Sequence, residues 1–105
     1  MAELTVIRWR DIPAQVTARE GRTSARVQLS ERFQEAIDEA ALRAGLFGTD
    51  DYLAEWQRDV RPCGDDLEAE VQAEAHRLEA GHPDDVLDGL ARAGGLRDAD
   101  EGGAP

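Results

Sequence analysis

The chain has no lysine and no asparagine, a single cysteine, and few aromatics: two tryptophans, two phenylalanines and one tyrosine. With only Cys63 there is no internal disulfide, so nothing asks for an oxidising compartment. Without lysine, all twelve basic residues are arginine, set against 23 acids for a net charge of −11, which opposes wide contact with a polyanion. No window approaches the ~18 apolar residues of a membrane span. Met1-Ala2-Glu3-Leu4-Thr5 shows neither the basic region nor the apolar run of a secretory leader, so a cytoplasmic protein is expected. A glycine-rich phosphate loop, a G-x-S-x-G elbow, an EF-hand pattern and internal repeats are absent as well. The missing Lys and Asn, with abundant Ala, Gly and Asp, fit a GC-rich bacterial genome.

The charge that is present is unevenly spread. Through Arg32 there are six arginines against four acids, net +2, and the remainder carries −13. Within that cationic third, Leu4 to Arg10 (LTVIRWR) has the β-branched and aromatic content of a strand, interrupted at Asp11-Ile12-Pro13. Ala14 to Glu20 and Ser24 to Leu29 each alternate small apolar with polar residues, and Gly21-Arg22 between them suits a type II′ turn. Setting Glu20 opposite Thr23 puts Ala18 against Ala25, Val16 against Val27 and Ala14 against Leu29, with every apolar side chain on one face. A one-residue slip would oppose apolar to polar throughout, so the register is strongly specified.

Downstream the period becomes helical. Ser30 is placed to cap a helix bearing Phe33, Ile37, Ala40 and Ala44, stopped by Gly45. A shorter helix is predicted from Asp50 to Arg58, with Leu53, Trp56 and Val60 on one side. Arg61-Pro62-Cys63-Gly64 then reads as a turn, followed by a capping box at Asp65-Asp66-Leu67-Glu68. A third helix carries Leu67, Val71, Ala75 and Leu78. A fourth starts with Pro83 at its first position, turns Val86, Leu87 and Leu90 inward, and closes at Gly94-Gly95. The expected architecture is α+β: a three-stranded antiparallel sheet followed by three to four helices packing on one face. One domain is expected over residues 1–97, with a disordered acidic tail over 98–105. Val16, Val27, Phe33, Ile37, Trp56, Leu67 and Val71 are expected to share its core.

Candidate chemistry is thin. Cys63 precedes a helix N-terminus, which can lower a thiol pKa, but Asp65 and Asp66 oppose this and no base is adjacent, so it reads as a packing residue. His76, His82 and Cys63 lack the spacing of a zinc site, and no metal or other cofactor is expected. Asp50-Asp51, Asp65-Asp66 and Asp84-Asp85 all open helices, where the macrodipole accounts for them without catalysis. No enzyme activity is therefore expected.

The order strand, capped helix, glycine, second helix resembles ribbon-helix-helix repressors over roughly Ala25 to Trp56. Arg26 and Gln28 would fall where that family reads bases. Against a DNA-binding regulator stand the −11 charge and the in-chain partner of the third strand, so nucleic acid is not the expected partner. A wider resemblance rests on Trp9-Arg10-Asp11-Ile12-Pro13-Ala14-Gln15-Val16, on Val27-Gln28-Leu29 with Arg32-Phe33-Gln34-Glu35-Ala36-Ile37, and on Tyr52-Leu53, Trp56 and Pro62-Cys63-Gly64-Asp65. In these stretches the chain resembles a family of small bacterial proteins labelled "virulence factor", a label that names no mechanism. The resemblance implies an accessory role beside corrinoid- and folate-dependent methyl-transfer enzymes of one-carbon metabolism, and it assigns no site residues. What the residues themselves offer is a polar hairpin face. Gln15, Thr17, Arg19, Arg26 and Gln28, with Arg8 and Arg10 from the first strand, would form a cationic patch on an acidic protein. The patch is either a partner-binding surface or a solvated sheet face, and the sheet's open edge is a ready site for strand addition.

Overall fold

The alternation of residues 14–29 dictates the centre of the fold, and the computed structural model, which describes residues 1–96, shows the hairpin in that register. Strand β2 (Ile12–Glu20) and strand β3 (Thr23–Gln28) pair antiparallel with Val16 opposite Val27, Ala18 opposite Ala25 and Glu20 opposite Thr23. The Leu29 N–H donates to the Ala14 carbonyl at 3.0 Å, carrying the register one residue pair further. Gly21 has φ +60° and Arg22 does not share a positive φ, as a type II′ turn requires.

Strand β1 (Glu3–Trp9) pairs with the other side of β2. It ends one residue earlier than expected, because Arg10 and Asp11 form the turn into β2. Pro13 does not break the sheet. The register shifts between Ile7 and Arg8, so Ile7 faces Gln15 while Arg8 faces Pro13, and Ala14 is the extra residue of a bulge beside the proline that cannot donate.

The expected count of three strands is corrected to four, in the order β3-β2-β1-β4. Trp56 to Arg58, read as the end of a helix, instead open strand β4 (Trp56–Pro62), antiparallel to β1 with Trp9 opposite Trp56 and Val6 opposite Asp59. The helix before it, α2 (Asp50–Ala54), is capped by Thr49, whose hydroxyl accepts from the Tyr52 N–H at 3.3 Å, and it lasts five residues. Arg61 and Pro62, expected in a turn, close the strand instead.

The remaining helices are α1 (Glu31–Arg43), α3 (Leu67–Gly81) and α4 (Asp84–Arg92). Helix α3 packs across β2 and β3, while α1 packs against α4 and β2. Three caps differ from expectation. Ser30 stands at the N-cap of α1, but its side chain makes no cap bond; its N–H and its hydroxyl both donate to Glu79 of α3, at 2.7 and 2.9 Å. Asp66 caps α3 by accepting from the Ala69 N–H, so the reciprocal box between Asp65 and Glu68 does not form. Pro83 is the N-cap residue of α4, not its first helical residue.

Val16, Phe33, Ile37, Leu67 and Val71 are buried together as expected, whereas Val27 and Trp56 are only partly buried. The largest fully buried side chains also include Trp9, Leu4 and Ile12. Each such side chain contributes about 1.5–3 kcal/mol by leaving water. Trp9 lies against Gly95, which has φ +90°; a Cβ there would sit 2.9 Å from the indole Cζ3. The indole N–H donates to the Tyr52 carbonyl at 2.8 Å, and the two rings stack at 5.5 Å. The tail expected from Asp98 onward lies outside the described residues. No helix among the described residues is long and apolar enough to cross a membrane.

Candidate functional site

Successive side chains of a strand point to opposite faces and directly paired residues share a face, so the four registers sort every strand residue. One face carries Leu4, Val6, Val16, Ala18, Ala25 and Val27 and lies under α3. The other presents cross-strand rows: Arg58, Ile7, Gln15 and Gln28; then Val60, Thr5, Thr17 and Arg26; then Pro62, Glu3, Arg19 and Ser24. Near Trp9 this second face is closed by Tyr52 and by Gln34 of α1, which lines a shallow depression with Ile7, Gln15, Gln28 and Trp56. Beyond that row it is open, and Arg19, Ser24, Arg26, Gln28, Arg58 and Val60 are all exposed.

The structure therefore brings Gln15, Thr17, Arg19, Arg26 and Gln28 together. It does not bring Arg8 and Arg10 to them, which corrects the sequence reading. Arg8 falls by alternation on the Leu4 and Val6 side, where its Nε and Nη2 donate to the two Asp59 carboxylate oxygens at 2.6 and 3.2 Å. That pairing holds the Asp59 carboxyl below its usual range and raises the guanidinium further. Arg10 has passed the end of the strand. At φ +52° it is the one non-glycine residue at positive φ among those described, and it donates to Glu55 Oε1 at 3.2 Å and the Gly94 carbonyl at 3.0 Å.

Sequence reasoning missed Arg58. Reading residues 50–58 as helix hid it, although Trp56, Arg58, Val60 and Pro62 already stand at period two. Its addition changes the electrostatic picture. Among the described residues Arg8, Arg10, Arg32, Arg43, Arg61, Arg77 and Arg92 each have a carboxylate partner within 4 Å. Arg19, Arg22, Arg26 and Arg58 have none; three stand on the open face and Arg22 stands in the turn at its rim. Glu3 shares the Arg19 row without coming within ion-pair distance.

A second concavity, of about 370 Å³, lies where α3 leaves the β1–β4 half uncovered, between Leu4, Val6, Arg8 and Asp59 on the sheet and Leu78 and His82 on the helix. Its charges are consumed internally: Arg8 by Asp59, and Arg61 by the buried Glu74, which Arg77 also reaches. His82 Nδ1 lies 2.8 Å from the Leu78 carbonyl, an acceptor, so that nitrogen carries the proton. Cys63 is partly buried, and burial followed by Glu70 raises its thiol pKa, the reverse of what a nucleophile needs. Among the described residues no group of three or more His, Cys, Asp or Glu is placed to hold a metal ion.

The fold and this surface define a small α+β domain with a four-stranded antiparallel sheet, one face of which is left open. The chain belongs to the Virulence factor family, whose model matches residues 7–91. No curated protein and no solved structure matches it.

Proposed function

We propose that the chain is a non-catalytic accessory protein that docks an anionic partner protein on the open face of its sheet. The observation that carries this reading is the segregation of arginine: among the described residues, the guanidinium groups lacking a carboxylate partner are gathered on that face and its rim, on a protein of net charge −11. An exposed arginine can spend its planar donor fork on a bidentate carboxylate contact, and the acidic bulk of the chain steers such a partner to this one surface. The partner class we propose is a corrinoid- or folate-dependent methyl-transfer enzyme.

The test is capture of the partner from native cells by the parent and by Arg19→Glu combined with Arg26→Glu. Both substitutions are exposed and change stability by about half a kcal/mol or less. The expected result is a variant that melts like the parent and retains no partner, with parental capture weakening as salt rises. Full capture by the variant would make the face a solvated surface. Retardation of duplex DNA at low salt, lost in the variant, would instead support a DNA-binding regulator.

A further inference from the structure

Resting on the reading that the open face docks an anionic partner, we infer that the partner adds as an extended strand to the free edge of β3, and that the segment alternates acidic with apolar residues. The hydrogen-bond phase of the hairpin supplies the first half of the argument. Glu20 and Thr23 flank a two-residue turn and Leu29 donates to Ala14, so Thr23, Ala25, Val27 and Leu29 direct their peptide groups inward to β2. Ser24, Arg26 and Gln28 therefore direct theirs outward, along an edge that no other strand among the described residues pairs with. Three outward residues in register offer the N–H and C=O ladder that strand addition uses. The opposite edge, β4, is a poorer template because Pro62 has no N–H to offer there.

Side chains supply the second half. The outward residues place Ser24, Arg26 and Gln28 on the open face, so every second residue of an added strand lies beside Arg26 and within reach of Arg22 at the turn; carboxylates suit those positions. The intervening residues lie beside Ala25 and Val27, which are only partly buried against the core, and an apolar side chain there completes their cover. Self-pairing of β3 is disfavoured by the same charges. Two copies running antiparallel would bring two Arg26 and two Arg19 side chains onto one continuous face, and like charges opposed across strands repel.

The probe is an end-blocked peptide of alternating Glu and Val, about seven residues long as strands usually are, titrated into the full chain by NMR. The expected result is binding that slows amide exchange at Ser24, Arg26 and Gln28 and disappears with a Lys-for-Glu peptide or with Arg26→Glu. A peptide N-methylated on alternate amides, which keeps its charge and loses its edge donors, should bind roughly tenfold more weakly or worse, since each lost hydrogen bond costs about 1 kcal/mol. Equal binding by the N-methylated peptide would overturn strand addition while leaving charge-driven docking intact. Failure of the Glu-Val peptide to bind, alongside arginine-dependent capture of the native partner, would overturn it as well. So would a dimer in sedimentation whose three edge amides are protected without peptide, because the occupant would then be a second copy.

Discussion

Strands β2 and β4 both lean on the same central strand, yet they are held by different physics. β2 buries Ile12, Pro13, Val16 and Ala18 and has a strand on either side and a helix across it. β4 has six exposed residues out of seven and one neighbour. It stays in place through its ladder to β1 and through ties at its length and ends: Arg8 to Asp59, Cys63 N–H to the Ala2 carbonyl, and Arg10 N–H to the Glu55 carbonyl. A strand can thus be specified by burial or by register alone, and only the first kind writes itself into composition.

The comparison can be broken from the β2 side most severely. Val16→Asp would place an uncompensated carboxylate at a fully buried site, a penalty of several kcal/mol against a marginal total, so the domain should lose its cooperative thermal transition. Gly95→Ala should cost about 1–3 kcal/mol in denaturant melts, since the added methyl meets the Trp9 ring and the backbone φ is +90°. Both act on the burial-defined half.

On the β4 side smaller effects are expected. Asp59→Asn removes a largely exposed ion pair, so global stability should fall by about 1 kcal/mol or less. Amide exchange along β4 should rise while β2 is unaffected. The pH dependence has a definite sign: the Asp59 carboxyl is depressed in the folded protein, so its contribution is present above the ordinary aspartate value of 3.8 and is lost as pH falls through the lower folded value. Protection of the β4 amides, corrected for the intrinsic exchange rate at each pH, should therefore fall under acid before that of β2 does, and in Asp59→Asn that acid step should be missing. Smallest of all, Val60→Thr, at an exposed strand site, should change stability by no more than about half a kcal/mol. A larger loss would mean that β4 is held by packing after all.

The same contrast explains what could be read from residues alone. The β2–β3 register followed from alternation, because sliding it by one residue would have set Val16 and Val27 on opposite faces, and α1 followed from the spacing of Phe33, Ile37 and Ala40. Trp56 to Pro62 offered no buried face to betray a strand, and its Leu53-Trp56-Val60 spacing imitated a helix. Losing β4 also lost Arg58 from the candidate face. Arg8 and Arg10 were placed wrongly for a related reason: in LTVIRWR the apolar residues run consecutively, so alternation does not say which side faces the helices until pairing with Val16 and Ala18 settles it. Ser30 had the right position for a cap, but a carboxylate from α3, 49 residues away in sequence, outcompeted the local bond.

The Arg10 turn bears on the order in which the molecule can assemble. Its backbone sits in a left-handed conformation that costs a non-glycine residue roughly 1–2 kcal/mol, and an offsetting contact, the Gly94 carbonyl, lies 84 residues later in the chain. Gly95, which lies against Trp9, arrives later still. During synthesis β1 and β2 are made long before Gly94 and Gly95, so the contact that offsets the left-handed turn and the glycine packed on Trp9 are absent until the end of α4 is available. Contacts of such sequence separation slow folding because the intervening chain must be ordered before they reward it. The β1–β2 tip is therefore made before the residues that complete it, and a nascent chain stopped short of Gly94 would lack the Gly95 cover of Trp9.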